Sequence, residues 1–180
     1  GTLFEDMHRS WRQICPHMAT APVTFLETSP YLRSVLTSRF SGLDIHLTKT
    51  ADNLPEVPLF GVANEFFDAL PINQAVWRQG AWRHRLVTAV HGALGFIEGP
   101  ALSASELARW QITNDHQDMN EGSIAEYCPA AESIMQQLAG RIARHGGACL
   151  IIDYGKNDNF SDSLQAVSAH KPVDFFYQPG

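Results

Sequence analysis

The chain has 180 residues, 44% hydrophobic and 18% charged, a length and balance that suit one soluble domain with a buried core. Thirteen basic against nineteen acidic residues give a formal net charge of −6, which argues against nucleic-acid or anionic-membrane partners because no basic field is present to hold one. No apolar run approaches the roughly 20 residues of a membrane helix. The three cysteines, far apart and odd in number, suit a reducing compartment, and the eight histidines lack zinc-site spacing, so no metal is expected.

In chain order, Leu3, Phe4, Met7, Trp11 and Ile14 recur at spacings of three and four, which predicts an amphipathic helix starting almost at residue 1. "VTFLE" (23–27) follows a proline and ends in a carboxylate, so it reads as a buried strand. Ser29 then caps a helix with Pro30 at its first position. "LFGVAN" (59–64) is a second buried strand, and residues 73–89 form a hairpin turning near Gln79-Gly80. Residues 91–125 carry little signal beyond a short helix at "SASELARW" (103–110). A long helix opens at Pro129, carries a stripe of Ile134, Leu138 and Ile142, and closes at Gly146 after His145. "ACLIIDYG" (148–155) follows as a continuous apolar strand fit for burial on both faces.

Alternating helices and strands are the rhythm of an open parallel sheet, where ligands bind beyond the carboxyl ends of the strands. Three strands here end in polar or acidic residues: Glu27, Asn64-Glu65 and Asp153. Glu27 sits where such sheets place a carboxylate on ribose hydroxyls, and it equally suits a cap for the helix that "TSP" begins. Asn64, Glu65 and Asp68 read either as a ligand site or as a turn cluster ahead of Pro71. Asp153 fits a strand-end turn, and Glu126 fits a cap for the long helix. Phe66-Phe67, Trp11 and Trp110 read as packing residues. The first helix, opening at Gly1 and Thr2, would normally follow a first strand and a glycine-rich loop that presents N–H groups to an anion. A chain opening inside that loop is therefore expected to be an internal fragment.

Seven stretches in order, "GTL", "LETSPYLR", "NEFFDALPINQ", "AEYCPAA", "GGACLIIDYG", "DSLQAVSAHK" and the closing "PG", resemble the MidA-type family across essentially all 180 residues. The likeness is weak at 41–58 and 88–120. Mitochondrial members of that family are protein arginine methyltransferases that help assemble respiratory complex I. The resemblance implies an α/β fold: a Rossmann-like class I methyltransferase sheet with helices on both faces. Its first strand and glycine loop would be missing and a hairpin/helical insertion added. It implies one domain over 1–180 with an insertion at about 73–125. The sequence departs from the family pattern at Ser161, where a glycine is usual, and at Tyr127-Cys128, where a hydrophobic residue and Ser are commoner.

The resemblance further implies S-adenosylmethionine as cofactor, with Gly1, Thr2, Glu27, Thr28, Ser29 and Asn64 near it. Asn64, Glu65 and Asp68, with Glu126 and Asp153, would then face the methyl acceptor. A guanidinium is a planar, permanently charged fork of donors that carboxylates bind in bidentate pairs. The implied partner is a protein carrying the target arginine, a complex I subunit or its bacterial counterpart, with no nucleic acid and no membrane insertion. The implied location is the bacterial cytoplasm, or the mitochondrial matrix in a eukaryote. Two other readings compete: a non-catalytic assembly factor on the same fold, and a nucleotide-dependent oxidoreductase, for which "NEFFDALP" offers no role.

Overall fold

A computed structural model describes residues 1–112, 119–155, 160 and 162–176; Ser161 and the closing Pro179-Gly180 lie outside them. The chain forms two compact units, one of residues 1–61 and 134–149, the other of 62–133 and 150–180. The predicted insertion lies wholly within the second.

In the first unit, helix α1 (Thr2–Ile14) carries the predicted apolar stripe. Phe4 meets Phe25 and Phe40 edge-on, each with centroids 5.0 Å apart, while Phe25 and Phe40 stack at 5.6 Å. Phe25 lies in strand β1 (Val23–Leu26), and Phe40 follows helix α2 (Pro30–Arg39). The Ser29 hydroxyl accepts from the Leu32 N–H at 3.3 Å, so cap and proline act as the sequence predicts. Strand β2 (Ile45–Thr48) pairs parallel with β1, Val23 opposite Ile45. Strand β2 alternates apolar Ile45 and Leu47 with polar His46 and Thr48, a signal only four residues long. Arg141, 6% exposed, donates to the carbonyls of Asp52 and Pro55, fastening the 3-10 turn at Ala51–Asn53.

The division between the units passes through β3 (Leu59–Asn64), α4 (Pro129–His145) and β8 (Gly147–Ile152). Strands β3 and β8 pair with each other. The bonds Leu59 N–H to Gly146 O and Glu65 N–H to Ile152 O advance along both strands together, so the pair is parallel. The parallel strands thus form two separate pairs; among the described residues no strand joins β1–β2 to β3–β8. The expected burial is corrected here. Strand β3 alternates, with Phe60 68% exposed, and Leu150 in β8 is 57% exposed. An apolar run measures a strand's capacity for burial, and only its neighbours determine whether it is covered.

Helix α4 ends as predicted, Gly146 donating to the Ile142 carbonyl with φ +83. Its start uses an unusual cap: the Cys128 sulfur accepts from the Ala131 N–H at 3.4 Å and donates to the Pro71 carbonyl at 3.5 Å. A hydroxyl does both jobs better than a thiol. Cys128→Ser is therefore expected to stabilise the full-length protein by about 0.5–1 kcal/mol, read as a rise in melting temperature of about 1–4 °C. A fall would show that thiol packing outweighs the cap.

The second unit centres on an antiparallel sheet in the order β6-β5-β4-β7, of β4 (Asn73–Arg78), β5 (Ala81–Val90), β6 (Ala93–Ala101) and β7 (Ile124–Tyr127). Gln79 and Gly80 take φ of 50 and 77, the two left-handed residues a tight hairpin needs, at the predicted turn. His91 and Gly92 repeat this, with φ of 51 and 83, between β5 and β6. Helix α3 (Ala104–Arg109) has a reciprocal capping box between Ser103 and Glu106. Those bonds from Ser103, ahead of the nearby His84, hold the Glu106 carboxyl below its usual range. Ala75, Trp77, Trp82, Leu102, Ile112 and Ala125 form the core, with Trp110 packed against it. Short antiparallel strands β9 (Ala166–Ser168) and β10 (Lys171–Val173) follow.

Candidate functional site

The candidate residues divide between the two units. In the first, Glu27 stands directly after β1, its N–H bound to the Thr48 carbonyl at 2.9 Å. From α2, Arg33 donates to the carbonyls of Glu27 at 3.0 Å and Leu47 at 3.3 Å, holding the ends of β1 and β2 level. Glu27 Oε1 accepts from the Ser29 N–H at 2.8 Å. Its Oε2 has no protein donor among the described residues. The helix-cap reading is overturned: Ser29 caps α2, and Glu27 only fastens the turn ahead of it, with its second oxygen left open. Thr28 is exposed and Ser29 half-buried. Gly1 caps α1, its carbonyl accepting from the Glu5 N–H, and Thr2 is the first helical residue.

In the second unit, Asn64 ends β3 and Glu65 turns the chain in a left-handed conformation, φ 46. Such a backbone is unfavourable for a residue with a Cβ, and strain of this kind recurs at functional sites. The Glu65 N–H still bonds the Ile152 carbonyl at 2.8 Å, which sets it beside the end of β8. Asp153 lies there, its two carboxylate oxygens accepting from the N–H groups of Asp68 at 3.2 Å and Tyr154 at 2.9 Å. Asp153 is therefore the fastener between the two strand-end loops. The Tyr154 phenol is held above its usual range, chiefly by its hydrogen bond to Asp68, then by the charges of Asp68, Asp153 and Glu65. Glu65, Asp68, Asp153 and Tyr154 all remain exposed. Their arrangement is an outward-facing group of carboxylates with an aromatic ring beside it, suited to a planar cation.

Glu126 is placed differently. The helix-cap reading is overturned: it lies inside β7, opposite Gln74 of β4. Gln74 Nε2 donates to Glu126 Oε1 at 2.6 Å and to Asp162 Oδ1 at 2.9 Å. Ser163 donates to Glu126 through both its N–H, at 3.0 Å, and its hydroxyl. Arg85 Nη1 donates to Asp162 at 2.7 Å and Gln74 Oε1 at 3.0 Å, with its guanidinium 3.6 Å over the Phe96 ring. Partial burial pushes the Asp162 carboxyl upward, but the Arg85 and Gln74 bonds outweigh it and leave the group below its usual range.

Sequence reasoning overlooked Tyr154, Gln74 and Arg85. Tyr154 adjoins a strand-end acid, which is a signal in hindsight. Arg85 and Gln74 give none, because their meaning depends on cross-strand register. Among the described residues, no group of three or more His, Cys, Asp or Glu is placed to hold a metal ion.

The chain is similar to known proteins along its whole length. The family model described as "Putative S-adenosyl-L-methionine-dependent methyltransferase" matches residues 1–180. The mitochondrial protein arginine methyltransferase NDUFAF7 of Xenopus tropicalis is 30% identical, covering 100% of this chain and 47% of its own length. Its Homo sapiens counterpart is 31% identical over 78% of this chain and 31% of its own length. A COG1565 superfamily member from Burkholderia thailandensis, solved bound to S-adenosyl-homocysteine, aligns with a TM-score of 0.52 at 26% identity, covering 74% of this chain and 34% of that one. The chain thus spans about a third to a half of the length of these relatives. With the family match running from the first residue to the last, the chain belongs to this family of S-adenosyl-L-methionine-dependent methyltransferases.

Proposed function

We propose that the full-length protein is a protein arginine methyltransferase that uses S-adenosylmethionine. The geometric observation that carries this reading is the gathering of Glu65, Asp68 and Asp153 at the carboxyl ends of the parallel pair β3–β8, in a chain matched to the family throughout. The names of its relatives and the product bound to its Burkholderia neighbour support the arginine acceptor and the cofactor.

Bound S-adenosylmethionine supplies a methyl group already activated on a sulfonium. Glu27, through its open oxygen, would hold the ribose hydroxyls, with Gly1, Thr2, Thr28, Ser29 and Asn64 as neighbours of the cofactor. Glu65 and Asp68 would grip the substrate guanidinium in charge-assisted pairs, drawing positive charge onto the bound nitrogens and leaving another nitrogen as nucleophile. The nitrogen left unpaired by these carboxylates would be the group that accepts the methyl. A carboxylate oxygen of Glu65 would take the proton that the methylated nitrogen sheds and pass it on to water. Asp153 would act by holding Asp68 and Tyr154 in place. Most of the rate enhancement then comes from positioning. Glu126 could contribute only if its present partners release it.

The substrate is a protein, and we place it among the subunits of respiratory complex I or its bacterial counterpart. The location is the mitochondrial matrix in a eukaryote and the cytoplasm in a bacterium. Among the described residues no helix is long and apolar enough to cross a membrane. The test is transfer of labelled methyl from S-adenosylmethionine to purified complex I subunits, with the modified residue located by mass spectrometry. Cofactor binding without transfer would favour a non-catalytic assembly role instead. In calorimetry, Glu27→Ala is expected to weaken cofactor binding by about 10- to 100-fold, the loss of a charged hydrogen-bond pair. Undiminished affinity would confine Glu27 to its turn.

A further inference from the structure

One row of residues crosses all four strands of the antiparallel sheet in register: Glu98 of β6, Arg85 of β5, Gln74 of β4 and Glu126 of β7. Gln74 is only 7% exposed, and every bond it makes in this row is to a charged group. Its amide is the one neutral group between two carboxylates and a guanidinium. No single charge could replace it, since the site needs two donors for Glu126 and Asp162 and one acceptor for Arg85.

The segment Asp162–Leu164 lies on this row. Asp162 takes Arg85 and Gln74, Ser163 takes Glu126 twice, and the Leu164 N–H closes back on Asp162 at 3.2 Å. Beside it is a cavity of about 470 Å³, floored by Val76, Ile124 and Phe96 and walled in part by Phe160 and Asp162. The segment therefore supplies part of that cavity's wall.

We propose that Gln74 is a positioning residue: with Arg85 and Glu126 it clasps the Asp162–Leu164 segment to the sheet, and the neighbouring cavity is complete only while the clasp is closed. This assigns Glu126 to the clasp and not to the methyl acceptor. It stands apart from the methyl-transfer reading, because its test measures backbone protection and not turnover.

The experiment is amide hydrogen exchange on the full-length protein, corrected for intrinsic rates, comparing wild type with Gln74→Glu at pH 8 and pH 5. An ionised carboxylate at 74 would face Glu126 and Asp162 without a donor to offer either, with only Arg85 opposing it and Arg85 already opposite Glu98. The Ser163 and Leu164 amides are then expected to exchange at least about tenfold faster than in wild type at pH 8. At pH 5 the new carboxyl, raised by burial and like charges, is protonated and regains one donor, so protection returns toward wild type. Wild-type protection at pH 8, or an equal loss at both pH values, would overturn the proposal. Asp162→Asn serves if Gln74→Glu does not fold: it should release these two amides while the Trp77 amide, bound to the Ser123 carbonyl at 2.9 Å, stays protected. Release of all three together would mean that no local clasp exists.

Discussion

Glu65→Gln in the full-length protein is expected to lower kcat/KM for methyl transfer by about 10- to 100-fold while leaving cofactor affinity within about twofold of wild type. The change keeps the side chain's size and one acceptor oxygen but removes the charge that would partner a guanidinium. If Glu65 acts mainly on the transition state, the loss falls in kcat; if it only holds the substrate, KM rises. Its backbone adds a second, independent test. Because Glu65 sits at φ 46, Glu65→Gly relieves the left-handed strain, an effect partly offset by the greater freedom of glycine in the unfolded chain. Glu65→Gly should therefore be as stable as wild type or up to about 1 kcal/mol more so, yet as impaired in transfer as Glu65→Gln. Loss of activity without loss of stability is the signature of a residue kept for chemistry. A turn residue behaves differently: both variants would then keep full turnover. Undiminished turnover in a folded Glu65→Gln protein would place the acceptor site elsewhere.

Gly147→Ala is expected to be the most damaging small substitution in the chain. A Cβ at this position would lie 1.9 Å from the Leu59 carbonyl oxygen, and φ is +112. Both the backbone conformation and the space require glycine. The combined cost is about 2–6 kcal/mol, a fall in melting temperature of about 5–20 °C for a protein of this size. Gly140, in the interior of α4, is the matched control, since a Cβ there meets nothing within 4 Å. Gly140→Ala should stabilise by about 0.5–1 kcal/mol through helix propensity. Opposite signs for two Gly→Ala changes seven residues apart would separate local crowding from any general effect of the substitution. If Gly147→Ala proved neutral, β8 could not approach Leu59 as closely as described. Because Glu65 and Asp153 are joined through the far end of the same strand pair, a destabilised Gly147→Ala protein should also lose transfer activity at temperatures where wild type retains it.

Much of this molecule is written in short-range chemistry, and that part was legible from the sequence. Ser29-Pro30, Gln79-Gly80, Pro129 and Gly146 mark boundaries because each meets a backbone requirement within a few residues of itself, and the elements begin or end there. The strand-end acids Glu27, Glu65 and Asp153 were readable for a similar reason: an apolar run must stop before a charge. Strand β2 escaped because its alternation, Ile45-His46-Leu47-Thr48, lasts only four residues, and β6 and β7 because 91–125 mixes apolar and polar residues without a clean alternation. Burial was misread in β3 and β8, since covering a face takes partners that no local pattern names. The roles of Gln74, Arg85, Glu126 and Asp162 were decided by tertiary structure alone. Cross-strand register sets the first three side by side, and a segment distant in sequence brings Asp162 onto them. The sequence by itself determined where the backbone turns and which strand ends carry charge, because those depend on neighbours along the chain; which charges meet was decided only by folding, because hydrogen-bond partners are chosen by distance in space.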